Sequence, residues 1–79
     1  MVNARVNREK AIRETKINII LDAAREVFSS NGFDSTRLED IAYSAGFSKA
    51  SLYNYYSDKE SIFINLAIRE YKKIIELLK

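Results

Sequence analysis

Three groups of side chains in this sequence have the types and spacing to grip an anionic polymer. Ser48, Lys49, Ala50 and Ser51 stand together at what reads as the first turn of a helix, followed at once by Tyr53, Asn54 and Tyr55. Ser35, Thr36 and Arg37 precede a second apolar-patterned run, and Lys59 opens a third. A helix start favours an anion such as phosphate, because its free N–H groups and its dipole act together. Lysine reaches a phosphate or the acceptors of guanine. Serine suits almost any edge, alanine a thymine methyl, asparagine adenine, and the tyrosine hydroxyl a phosphate. The chemistry is therefore recognition of double-stranded DNA without covalent change. Plainer uses exist for the same residues. Thr36 and Ser48 would cap helices in any helical protein, Lys49 and Lys59 could be solvated surface, and Tyr53 could be an ordinary half-buried aromatic.

The elements that must position these groups run from Thr36 to Tyr56. Thr36 and Glu39 have the Thr-x-x-Glu spacing of a capping box. Leu38, Ile41, Ala42 and Ala45 recur at helical spacing and form one buried stripe. Gly46 suits a left-handed helix end, Phe47 is apolar, and Ser48 caps a following helix. Leu52 and Tyr56 share an inner face, four residues apart. Two short helices, the second with a polar and aromatic outer face, describe a helix-turn-helix reader of DNA.

The flanks supply the rest of a bundle. Residues 1 to about 7 read as disordered, and 1–14 as a basic N-terminal arm or an early helix turn, with Thr15 a possible N-cap. Ile17, Ile20, Leu21, Ala24, Val27 and Phe28 then follow a helical template, placing a helix at about 15–31. Gly32 suits its end, and Phe33 folds back as the apolar contact. The second and third helices fall at about 37–45 and 49–55, closing a domain at 15–57. Ser57 and Glu60 form another capping box, so a fourth helix occupies 58–79. Ile62, Phe63, Leu66 and Ala67 give it an inner stripe. Its far half keeps Tyr71, Ile74, Ile75, Leu77 and Leu78, which nothing earlier in the chain remains to bury, so a partner or a further domain is expected there. The fold class is all-α: a three-helix, homeodomain-like helix-turn-helix bundle plus a long fourth connecting helix.

Composition narrows the function classes. Seventy-nine residues make one small domain. With no cysteine there is no disulfide, thiolate metal site or thiol nucleophile, and with no histidine the usual metal ligand and neutral-pH base are missing. No cofactor or metal is expected, and an enzyme is the least favoured class. No apolar run reaches membrane-spanning length and no signal peptide pattern opens the chain, so a cytoplasmic protein without a membrane partner is expected. The net charge of +2 is unevenly spread. Arg5, Arg8, Lys10, Arg13 and Lys16 face only Glu9 and Glu14, whereas 36–56 is neutral. The arm would supply much of a salt-dependent attraction to DNA, or is simply solvated.

From Ile20 to Ile62 the sequence resembles the N-terminal DNA-binding domain of TetR-type transcriptional regulators. The likeness rests on Ile20-Leu21-x-Ala23-Ala24-x-x-x-Phe28, Gly32-Phe33, Thr36, Ile41-Ala42, Ala45-Gly46-Phe47-Ser48, Leu52-Tyr53-x-Tyr55-Tyr56 and Lys59-Glu60-x-Ile62. The resemblance implies Thr36, Tyr53 and Lys59 on phosphates, with Lys49, Ala50 and Ser51 facing the groove. It implies a repressor that acts as a homodimer on a pseudo-palindromic operator. A small-molecule inducer, bound in a C-terminal domain that these residues do not contain, would release it from the operator, and dimerisation of this chain alone would be weak or absent. The sequence departs from the family at Tyr56, where Phe is usual, and at Tyr55, where His is common. The alternative class is a small helical protein-interaction module working through the apolar end of the fourth helix.

Overall fold

The computed structural model describes residues 4–79; the start of the expected arm, residues 1–3, lies outside the described residues. Four helices follow one another: α1 (Ala4–Asn31), α2 (Leu38–Ala45), α3 (Lys49–Tyr53) and α4 (Lys59–Leu77). The described residues contain no strand.

Packing follows the apolar stripes. Ile20, Leu21 and Ala24 of α1, Ile41 and Ala42 of α2, Leu52 of α3 and Ile62 and Leu66 of α4 form one buried cluster. Ile17, Val27, Phe28, Leu38, Ala45, Phe47, Tyr55 and Tyr56 pack partly buried around it. Each helix is too short or too polar to stand alone, so its stability comes from burying its stripe against the others. Phe28, Phe33 and Phe63 close one end, their ring centroids 5.3–5.8 Å apart.

α1 starts earlier than its stripe indicated. It is helical from Ala4, so of the two readings of the 1–14 stretch the early helix holds over the described residues, and the expected disorder does not extend over residues 4–7. Thr15 is not a cap: its hydroxyl donates to the Ala11 carbonyl at 2.9 Å within the helix. No proline interrupts the segment, and extending an existing helix costs far less than nucleating one. Arg5 and Glu9 add an exposed pair one turn apart. The 28 residues span roughly 42 Å, so the first turns of α1, before Arg13, project past the bundle.

Three caps differ from expectation. α2 is capped from Arg37, whose N–H donates to the Asp40 carboxylate at 2.9 Å, and not by Thr36 with Glu39. α4 is capped by Asp58, which accepts from the Ser61 N–H at 2.7 Å, in place of Ser57. An aspartate there both bonds the free N–H and meets the helix dipole, which a serine does not. α3 ends at Tyr53, not Tyr55, because the chain tightens through Asn54 N–H to Ser51 O and Tyr55 N–H to Leu52 O.

A polar clasp sets how α4 crosses α1. Arg69 pairs with Asp22 at 2.9 Å and donates to the Asn18 side chain at 3.3 Å, while Arg25 pairs with Glu70 at 2.9 Å. Hydrogen bonds from Lys73 and then Arg25 hold the Glu70 carboxyl below its ordinary range. Ala67, expected in the inner stripe, is exposed just before this clasp, and beyond it α4 runs free of the bundle, with Tyr71, Ile74, Leu77 and Leu78 exposed.

Candidate nucleic-acid interface

The turn between α2 and α3 follows from Gly46. It takes φ +77°, a backbone conformation that glycine adopts without a Cβ penalty. Its N–H donates to Tyr43 O at 3.1 Å and the next N–H, from Phe47, to Ala42 O at 2.8 Å. These two bonds finish α2 and send the chain sharply into α3. Ser48 starts α3 as expected, its hydroxyl oxygen accepting from the Ser51 N–H at 3.0 Å and its proton going to the Ser51 hydroxyl at 2.9 Å. Leu52, only 1 % exposed, pins the helix to the core.

With Leu52 inward, the other face of α3 is set. Ser48, Lys49, Ala50, Tyr53 and Asn54 are exposed and Ser51 half-exposed. Ser35 and Arg37 are exposed beside the start of α2. Lys49 bridges back to Glu39 on α2 at 3.4 Å and lies 5.8 Å from the Tyr53 ring centre. The Glu39 carboxyl is held low, first by a backbone hydrogen bond and then by Lys49. Both partners are about half exposed, so the bridge is weak and salt-screened, and Lys49 can leave it for a stronger anion.

Three expected contact residues are placed elsewhere by the structure. Thr36 is 2 % exposed. Its hydroxyl donates to Gly32 O at 2.7 Å and its N–H to Phe33 O at 3.2 Å, so both donors are engaged within the α1–α2 loop. Gly32 lies one residue past the end of α1, where no further helical N–H follows to bond its carbonyl, and this hydroxyl satisfies it. Lys59 is committed in the same way: its ammonium donates to Phe33 O at 2.7 Å, Thr36 O at 3.1 Å and Asp34 O at 3.2 Å. It also lies 4.5 Å from the Phe33 ring centre. An ammonium has three N–H donors and all three are used, so Lys59 is a staple across the loop. Tyr55 is half-buried where an outer position was expected. Its ring meets Phe47 edge-on at 6.2 Å and carries the Arg13 guanidinium 4.9 Å above it. Tyr56 is half-buried; its hydroxyl is not among the fully buried polar atoms, so the extra oxygen reaches the surface. Burial raises its pKa.

Two functional candidates were absent from the expected set. Arg13 and Lys16 were counted with a basic arm that would attract DNA in general or be solvated, yet α1 sets them beside α3. Their signal was legible: Lys16 and Arg13 stand four and seven residues before the buried Ile20, hence on its face of the helix.

Comparison with known proteins agrees with this geometry. The family model described as "Bacterial regulatory proteins, tetR family" matches residues 20–66. The chain is similar to the biofilm operon icaADBC HTH-type negative transcriptional regulator IcaR of Staphylococcus epidermidis. The two are 48 % identical over 44 residues, which is 56 % of this chain and 24 % of that protein. It is also similar to the HTH-type transcriptional regulator RutR of Escherichia coli K12, 46 % identical over 57 residues, 72 % of this chain and 26 % of that protein. The chain thus spans about a quarter of the length of these curated relatives. No solved structure matches it.

Proposed function

Given that the chain belongs to the tetR family of bacterial regulatory proteins, we propose that it is the sequence-reading domain of a transcriptional repressor. α3 enters the major groove and reads bases through Lys49, Ala50, Ser51 and Asn54. Ser35, Arg37, Ser48 and Tyr53 hold neighbouring phosphates. Thr36 and Lys59 act indirectly, by fixing the loop that carries Ser35 and Arg37. The observation that carries this reading is the outer face of α3: Leu52 is buried at its centre while Lys49, Ala50, Tyr53 and Asn54 are all exposed. Two relatives are named as HTH-type regulators, one of them negative, which supports repression.

A two-fold operator needs two reading helices about 34 Å apart. We infer that α4 leads to the surface that pairs them and to the site of a small-molecule inducer. Its outward apolar residues, Tyr71 at 65 % exposure and Leu77 at 84 %, support a protein partner there. Work at the chromosome agrees with a cytoplasmic protein, and no helix of the described residues is long and apolar enough to cross a membrane.

The test is affinity for an operator selected from random duplexes. Lys49→Ala should weaken binding by about 1–3 kcal/mol and relax preference at one base pair. Tyr53→Phe should weaken all sequences alike. If neither substitution changes affinity, α3 does not present this face to DNA.

A further inference from the structure

A cavity of about 300 Å³ lies between α1, the α2–α3 turn and α3. Its walls include Gly46, Ser48, Ser51, Asn54 and Tyr55, and Lys16 of α1 stands among them. Ser48, Ser51 and Asn54 recur at three-residue spacing, so they form one face of α3, adjoining the face of Lys49 and Tyr53. The cations around this reading helix differ in their commitments. Lys49 is bridged to Glu39, Lys59 is used up by three carbonyls, and Arg13 is stacked on Tyr55. Lys16 makes no ion pair or hydrogen bond among the described residues. Its side chain is exposed, and its backbone is anchored in α1 four residues before Ile20, which is fully buried.

An unpaired ammonium at a polar recess suits an anion with several acceptor oxygens. We propose that Lys16, backed by Arg13, forms a backbone-phosphate clamp at this cavity, so that one DNA phosphodiester is gripped by α1 while α3 reads the adjoining groove. This rests on the reading of α3 as the DNA-binding helix. The clamp ties two elements that are 30 or more residues apart in sequence to one stretch of DNA. The phosphate is received by Lys16 and the Ser48 hydroxyl, and Arg13 adds positive charge from above the Tyr55 ring. Because α1 is helical throughout this region, the backbone that carries Lys16 is set relative to α3. The contact therefore sets the register of α3 as well as adding attraction.

The experiment measures the affinity of the whole chain for a selected operator and for an unrelated duplex between 50 and 200 mM salt. Lys16→Ala should lower the slope of log affinity against log salt by about one and weaken both duplexes to the same degree. The gap between the native chain and the variant should then shrink about threefold to fourfold across that salt range. Lys16→Arg should restore the slope. A methylphosphonate scan of the operator gives a second readout: at one phosphate, neutralisation should cost the native chain affinity but cost Lys16→Ala nothing more. An unchanged slope, or losses that add at every phosphate, overturns the clamp even though Tyr53→Phe and Lys49→Ala weaken binding. Loss of all DNA binding by the native chain sinks the earlier reading instead. A third arm titrates inorganic phosphate at constant ionic strength while the Gly46 and Ser51 amides are followed by NMR. Shifts with the duplex alone support a DNA phosphate. Saturable shifts with inorganic phosphate would assign the cavity to a free anion and overturn the proposal.

Discussion

Replacing Lys59 with methionine keeps the apolar stem against Phe33 and removes only the ammonium. Three carbonyl oxygens then lose their donor, at 2.7, 3.1 and 3.2 Å in the native chain. A hydrogen bond involving a charged group contributes about 1.5–3 kcal/mol net. The three do not add in full, because one ammonium is desolvated once and the exposed Asp34 carbonyl can take water instead. The Phe33 and Thr36 bonds are part-buried and carry most of the effect, giving a loss of about 2–3 kcal/mol. A chain of this length holds a total of roughly 4–12 kcal/mol. The midpoint of thermal unfolding, followed by circular dichroism at 222 nm, should fall by roughly 10–20 °C. At a temperature where the variant stays folded, its DNA affinity should keep the native salt dependence. The opposite pattern would refute the staple: an unfolding midpoint within a couple of degrees of the native value, with a salt slope reduced by about one, means that Lys59 spends its charge on a phosphate.

Three further substitutions test other parts of the structure. Gly46→Ala meets no atom within 4 Å but must hold φ +77°, so it should cost about 1–2 kcal/mol from backbone strain alone, read as a lower urea midpoint with an unchanged slope. The Asp58 carboxyl is held below its ordinary value by the Ser61 backbone N–H. Its folded pKa lies below its unfolded one, so its contribution is complete above the ordinary carboxylate pKa of about 4 and is lost as pH falls through the lowered value. Urea midpoints should therefore drop steeply below about pH 4 in the native chain and less steeply in Asp58→Asn; parallel curves would remove Asp58 from that acid sensitivity. Tyr56→Phe should leave stability within about 0.5 kcal/mol, since the hydroxyl reaches the surface, and a larger loss in calorimetry would reveal a bond that this structure does not contain.

Much of the helical framework was legible in the chain. Ile20, Leu21, Ala24, Ile41, Ala42, Leu52, Ile62 and Leu66 all lie where their spacing put them, because burial of a stripe depends on a 3.6-residue period and little else. Gly46 and Ser48 were equally readable, since a left-handed helix end and a hydroxyl cap are local chemistry. The start of α1 was less so: its stripe begins at Ile17, and nothing apolar marks the extra turns that helix propagation adds before it. Caps were misplaced by one residue at α2 and α4, where two candidates stood side by side and each could serve.

The polar side chains divide along the same line. By itself the sequence determined that α3 turns Leu52 inward and a polar, aromatic face outward, because both halves of that statement concern one helix. Only the tertiary structure decided what the charged and hydroxyl groups hold. Lys59 finds its carbonyls 23 to 26 residues away, Arg69 pairs with α1 across 47 residues, and Lys16 shares a recess with Gly46, 30 residues further along the chain. A buried or half-buried donor must find an acceptor wherever folding brings one within 3 Å, and no periodicity in the sequence records that distance. Hence a lysine that reads as a DNA contact is engaged as a loop staple, while one counted in a general basic arm stands at a defined recess beside α3.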